Sequence, residues 1–368
     1  MSGPWITELE IKTVEDCMRN GWYNYQYVET FQKEFAAYHN RKYGIMTPNC
    51  TTAIHLLLTA MGIKDGDEVI APECTWVGST AGITYQCATP VFCDIDSKHW
   101  CLDPESVEKS ITPNTKAVIV VDLFGNMPLM DELIEVCNRY NVPMIEDSAE
   151  ALGSIYKGVR AGKFGIASVF SFHRTKTVVT GEGGMLLLDD EKLYERCMFL
   201  RDHGRRNDGP AYFNYEITYK YMPFNLQAAM GYAQFQRLDE LVAKKRWIFE
   251  SYKERLADIE DIQLNPEPEG VGSFNSVWIT GLLIGKSYQM NKLEAMDRLK
   301  TVGLPARPFF YPLSSLPAYP NCEAIYRPRN PNAYDICARG INLPGALIMT
   351  EDQINCVSDG VRKILKRS

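Results

Sequence analysis

The sequence predicts an α/β protein in two domains, the larger built on a mostly parallel sheet with helices on both faces. Three observations predict it. The chain has 368 residues, beyond the size at which one hydrophobic core usually stops growing. In its first two-thirds, apolar strand-like runs alternate with amphipathic helical stretches, the pattern of βα units. The segment NPEPEGVGS then punctuates the chain with Pro and Gly ahead of a smaller set of elements. A large α/β domain is expected over 1–245 and a small α+β domain over 246–368.

The elements follow in chain order. Thr7 with Glu10 three residues on fits a capping box at the first helix, and Ile6 is placed to act as its hydrophobic staple. Strands are expected at 68–71, 90–94, 117–123, 143–145, 168–172 and 185–188, and helices at 51–61, 130–140 and 191–201. The run AVIVVDLF is apolar at every alternate position on both sides, as in a strand buried on both faces. A long helical stretch starts near Asn225 and has no Gly or Pro after Gly231 to break it. Beyond NPEPEGVGS come a strand in VWITGLLI, a helix at 292–299, a Pro-rich loop and a last helix from Glu351.

Composition excludes several function classes. Hydrophobic residues are 45% and charged residues 23%, as in globular proteins generally. With 39 Lys plus Arg against 46 Asp plus Glu, the net charge of −7 argues against nucleic acid or an anionic membrane surface as partner. A phosphorylated small molecule stays open, because a few local donors suffice to bind it. The 11 cysteines form no CxxC pair, so zinc-ribbon and dithiol redox readings fail. Idle thiols in a reducing cytoplasm are expected instead. The start MSGPWITELE has no signal pattern, and no apolar run reaches the ~18 residues of a membrane span.

The chemistry centres on SFHRTKTVVTGEGG, which sets Lys176 just after a strand and before a Gly-rich turn. Such a lysine is either an ordinary surface residue or a nucleophile whose environment lowers its pKa. Three further segments bear on the choice. In MIEDSAEALG, Asp147 follows another strand of the series, and strand C-termini are where ligands bind in doubly wound sheets. An aspartate there suits a protonated pyridine nitrogen. At ~3 Å and an effective dielectric near 20 the attraction is roughly 5 kcal/mol before desolvation. In PNCTTAIHLLL, small polar residues open a helix whose N-terminal amides suit a phosphate. In PECTWVGS, Trp76 offers a flat ring for stacking.

Together and in this order, CTTAIHL, TWV, IEDSAEALG, SF-x3-K-x3-TGEGGM, NLQAAMG and RPFFYPL resemble the DegT/DnrJ/EryC1/StrS sugar aminotransferases, fold-type-I enzymes of pyridoxal 5′-phosphate (PLP). The likeness spans nearly the whole chain and is nearest to enzymes that aminate C4 of nucleotide-linked 4-keto-6-deoxysugars. It implies an aspartate-aminotransferase-like fold and a homodimer with shared active sites. It also implies glutamate as amino donor, with 2-oxoglutarate released. By this resemblance Lys176 binds PLP covalently and shuttles the proton. Asp147 holds the ring nitrogen, Glu150 lies at the ring edge and Trp76 stacks on the ring. Ser171 and the amides of Cys50 and Thr51 bind the phosphate, and His173 lies beside cofactor and substrate. RDHGRRNDG, with Arg201, Arg205 and Arg206, is either a solvated turn or a segment some of whose groups meet the nucleotide diphosphate, as a similar segment does in relatives. Arg307, Phe309 and Tyr311 are expected to line the sugar pocket, although the two aromatics equally suit a packing anchor.

Two departures stand out. Relatives usually have Gly where this chain has Cys50. Many also carry Asn where this chain has Lys220, and that Asn reaches the partner subunit's cofactor phosphate. Lys220 is either a charge-assisted phosphate contact or an exposed cation. Related activities remain open: sugar 3-amination, cyclitol amination, or PLP binding in a regulator. A 3-dehydratase of this type has His in place of the lysine, and Lys176 argues against it. His39, His55, His99 and His203 lack metal-ligand spacing, so no metal is expected.

Overall fold

The computed structural model describes residues 3–206, 208–267 and 270–365. Pro268 and Glu269 of the NPEPEGVGS segment lie outside them, as does Asn207. The first nine strands are β1 (Tyr43–Thr47), β2 (Glu68–Pro72), β3 (Thr89–Cys93), β4 (Thr115–Val121), β5 (Met144–Asp147), β6 (Ile155–Tyr156), β7 (Val159–Arg160), β8 (Ala167–Ser171) and β9 (Gly184–Leu188). Seven of them form one sheet in the order β1-β9-β8-β5-β4-β2-β3, while β6 and β7 pair as a separate hairpin. Within the large sheet β8, β5, β4, β2 and β3 run parallel, and β9 is antiparallel to both β8 and β1.

β4 shows why the sheet is buried on both sides. Ala117, Ile119 and Val121 belong to one core cluster and Val118 and Val120 to another. The strand's period of two thus feeds two separate helix layers. β1, in YGIMT, is a strand beyond those expected from the sequence. It joins the edge through β9, with Ile45 opposite Leu186. Gly44 lets the neighbouring helix Gln26–Tyr38 approach, because a Cβ there would meet the Gln32 carbonyl oxygen at 2.5 Å.

Four more strands, β10 (Ile262–Leu264), β11 (Gly281–Ile284), β12 (Arg307–Pro308) and β13 (Gly340–Asn342), form an antiparallel sheet in the order β10-β11-β13-β12. VWITGLLI yields strand only in its second half. Val277 takes φ 54°, costly for a β-branched residue, and turns the first half out of the sheet.

Two helices replace the single long one, Asn225–Gln236 and Leu238–Arg255. Arg237 breaks the run with φ −108° and ψ 14°. Its guanidinium reaches the Trp5 carbonyl at 3.0 Å and Glu10 at 2.7 Å, a pull from tertiary contacts that no helical pattern reveals. Leu238 and Leu241 then pack in a core cluster with Phe31, Phe35 and Phe172. Ile248 and Tyr252 of the same helix join the cluster around Leu282 and Ile341 of the small sheet. The Thr7–Glu10 capping box is present, but Ile6 stays largely exposed. Among the described residues, no helix is long and apolar enough to cross a membrane.

Candidate active site

The C-terminal ends of the parallel strands converge on a cavity of about 520 Å3. Asp147 ends β5, Ser171 ends β8 and Val121 ends β4, and all three line it. After β1 the chain turns into the helix Cys50–Ala60. Asn49 caps it by accepting the Thr52 amide at 2.9 Å, so Cys50 and Thr51 front the cavity at a helix N-terminus. Gly184 is needed here, since a Cβ would stand 2.6 Å from the Cys50 nitrogen.

Lys176 lies in the loop between β8 and β9. Its Nζ donates to Glu150 Oε1 at 3.1 Å and sits 3.6 Å from the ring centroid of Trp278. Both neighbours are themselves fixed. The Phe124 amide donates to Glu150 Oε2 at 2.8 Å, and Trp278 Nε1 donates to the Thr175 carbonyl at 2.6 Å. The amine is thus held in a largely buried setting between a carboxylate and an aromatic face.

Asp147 is buried. Burial pushes its carboxyl above the usual range, while the Ser79 hydroxyl at 2.7 Å and the Ala149 amide at 3.1 Å pull it partly back. A cationic ring nitrogen is the partner such a carboxylate suits. Burial also drives the Cys50 thiol well above its ordinary value, so it stays protonated. His173 is lowered, chiefly by burial, and its Nδ1 pairs with Thr175 Oγ1 at 2.9 Å.

Lys176, Asp147, Glu150, Trp76, Ser171, Cys50, Thr51, His173, Arg307 and Tyr311 all border this one cavity. Trp76 is 61% exposed, with Phe310 6.0 Å away, centroid to centroid. Phe309, Arg201 and Lys220 stand apart from this set. Phe309 also borders the cavity, but its ring is fully buried against Trp100 and Phe124. Glycines at 281 and 340 make room for it, which favours the packing-anchor alternative. Arg201 ends the helix Glu191–Arg201 and is 5% exposed, donating to Gln32 and to the Met46 carbonyl. It is structural and does not face this cavity. Lys220 is likewise elsewhere in its own chain, donating to Asp202 Oδ1 at 2.6 Å. Arg205 reaches the same carboxylate.

Sequence reasoning missed Trp278, Ser79 and Phe310. Ser79 had a local signal, three residues beyond Trp76 at the start of the helix Gly78–Tyr85. Trp278 had none, because it arrives from a segment about a hundred residues away through the turn at Val277.

The donor set fits PLP: an amine for its carbonyl carbon, a buried carboxylate for its ring nitrogen, a hydroxyl and helix amides for its phosphate. Known proteins agree. The chain is 34% identical to a GDP-perosamine synthase of Escherichia coli O157:H7 over 362 residues, covering 98% of this chain and 96% of that protein. Among solved structures, 3-amino-5-hydroxybenzoic acid synthase superposes with TM-score 0.91 at 27% identity, covering 100% of this chain and 99% of that one. A Streptococcus pneumoniae protein described as a sugar aminotransferase, solved in its PMP-form, gives TM-score 0.90 at 26% identity, covering 99% and 98%. Residues 4–362 match the DegT/DnrJ/EryC1/StrS aminotransferase family, and the chain belongs to that family of PLP-dependent transaminases.

Proposed function

We propose that this chain transfers the amino group of glutamate to C4 of a nucleotide-linked 4-keto-6-deoxysugar, working as a homodimer. The observation that carries the reading is Lys176 Nζ standing in the same cavity as Asp147, beside Glu150 and Trp278. The likeness to a GDP-perosamine synthase over 98% of the chain supports a sugar nucleotide as acceptor.

PLP, when bound, supplies an electron sink that stabilises negative charge at the substrate carbon. The residues supply the rest. Asp147 holds the ring nitrogen in its charged form, and Ser79 keeps that carboxylate oriented. Lys176 Nζ gives and takes the proton at the reacting carbon as general acid and base. Glu150, fixed by the Phe124 amide, keeps that amine aimed into the cavity. Ser171 and the amides of Cys50 and Thr51 orient the phosphate. Arg307 and Tyr311 form the outer wall where the sugar enters.

A surface rich in apolar side chains supports the dimer. Tyr23, Tyr212 and Ile217 are almost fully exposed, and Trp22 packs on the half-exposed Phe224 at 5.5 Å. Exposed apolar side chains of this kind suit burial against a second copy of the chain, and the resemblance gives Lys220 a role at that copy's site.

The test is a panel of GDP-, UDP- and dTDP-linked 4-keto-6-deoxysugars offered with glutamate. Amination at C4, read by NMR, supports the reading. Amination at C3, or turnover only with a cyclitol or aromatic ketone, replaces it. A protein that binds PLP but leaves glutamate untouched returns the regulator reading.

A further inference from the structure

The cavity's outer wall is a loop, and two buried charges hold it from its two ends. Arg307, Phe310, Tyr311 and Leu316 bring this loop to the cavity. At its start stands Lys292, first residue of the helix Lys292–Thr301 and only 4% exposed. Its Nζ donates to the Phe309 carbonyl at 3.1 Å and the Phe310 carbonyl at 3.4 Å, and lies 3.7 Å from the centroid of Tyr311. One ammonium thus touches three consecutive residues of the wall, all of which border the cavity.

At the far end stands Glu73, fully buried just past β2. Its Oε1 accepts the Ser314 amide at 2.7 Å and its Oε2 accepts Asn330 Nδ2 at 2.6 Å, while its own carbonyl accepts the Leu313 amide at 2.9 Å. Asn330 also donates to the Phe92 carbonyl in β3 at 3.0 Å, so the carboxylate's second partner is itself fixed to the large sheet. Burying either charge is costly unless its hydrogen bonds are fixed. Both are set in neutral partners that belong to, or flank, this one loop. Burial moves each group toward its neutral form, Glu73 upward and Lys292 downward.

We propose that Lys292 and Glu73 are positioning residues that fix the 307–316 loop as the sugar-facing wall, and so set affinity for the ketosugar without acting on the amino-donor step. The proposal rests on the reading of this cavity as a ketosugar site. Neither residue touches the reacting atoms. Their effect runs through Phe310 and Tyr311, and an error of about 1 Å in such a wall can cost 10²-fold in rate.

Ping-pong transfer separates the two steps in one protein. Lys292→Met and Glu73→Gln holoenzymes are mixed with glutamate alone, and loss of the PLP absorbance gives the first half-reaction. The pyridoxamine form is then mixed with GDP-4-keto-6-deoxymannose, and the return of absorbance against ketosugar concentration gives the second. The expected result is a first half-reaction within about twofold of wild type, and an apparent Kd for the ketosugar raised about tenfold or more. Lys292→Arg, which keeps a cation and its donors, should recover most of that loss. Equal losses in both half-reactions, or no change in either, overturn the proposal.

Amide hydrogen exchange on the wild-type holoenzyme gives an independent reading should a variant not fold or the wild type refuse every ketosugar. Leu313 and Ser314 should be strongly protected, and fast exchange at both overturns the anchoring. A wild type that glutamate converts but no ketosugar restores overturns the proposed substrate instead, with the anchoring still judged by exchange.

Discussion

Lys176 Nζ lies 3.1 Å from Glu150 Oε1 and 3.6 Å from the centroid of Trp278, so the amine's direction is set by groups from two distant parts of the chain. Lys176→Ala should lower transamination by about 10²–10⁴-fold or more, as expected when a general acid–base is removed. Glu150→Gln keeps an acceptor for the Phe124 amide but weakens the hold on the amine, and should lower kcat by about tenfold. Steady-state kinetics on both variants check this. An equal loss in the two would deny Lys176 its separate role.

Ser79 borders the cavity and donates to Asp147 at 2.7 Å. Ser79→Ala removes one hydrogen bond to a buried carboxylate, typically about 1.5–3 kcal/mol when one partner is charged. PLP affinity should drop by about tenfold or more, measured by fluorescence titration. Unchanged affinity would show that the Ala149 amide alone holds Asp147.

Arg201 should behave as a core residue. Arg201→Ala removes the buried hydrogen bonds to the Met46 carbonyl and to Gln32, which still accepts the Met46 amide, at a cost of about 2–4 kcal/mol. A lower melting temperature with an unchanged KM for the sugar nucleotide is the expected outcome. The reverse pattern would restore Arg201 as a substrate contact.

Glu10 predicts an acid-sensitive clamp at the N-terminus. Burial raises its carboxyl, but hydrogen bonds from Thr7 and Arg237 outweigh this and bring it from 4.5 to about 2. A carboxylate depressed in the folded state stabilises fully above its unfolded value. That stability is lost as pH falls from about 4.5 toward 2. The gap in melting temperature between wild type and Glu10→Gln, worth about 3 kcal/mol at pH 7, should therefore close over this window. A gap that stays constant with pH would contradict the charge-based account.

Mixing two separately inactive variants tests the shared dimer site. Lys176→Ala and Lys220→Ala homodimers, exchanged into hybrids, should recover up to about a quarter of wild-type activity per site if each site draws on both chains. If the Lys220→Ala homodimer is fully active, or if confirmed hybrids recover nothing, Lys220 is only the surface partner of Asp202.

The sequence made the sheet legible wherever a strand is buried on both faces, as AVIVVDLF is. The motifs then placed Asp147 and Ser171 at strand ends and Lys176 in the loop that follows β8. What it hid were tertiary choices. Nothing local shows that Arg237 turns toward Glu10 and breaks a helix, or that Val277 adopts φ 54° and delivers Trp278 to Lys176. Arg201 misled because an arginine beside a Gly-rich loop reads as exposed. It is in fact the last residue of its helix and points into the core.

The most direct test of the account follows the absorbance of the holoenzyme through one full cycle. Glutamate should convert the PLP form to the pyridoxamine form. A nucleotide-linked 4-keto-6-deoxysugar from the panel should restore it, with one 4-amino sugar formed per site by NMR, and the Lys176→Ala variant should do neither. Restoration without a C4 amine, or a normal cycle in the variant, would contradict it.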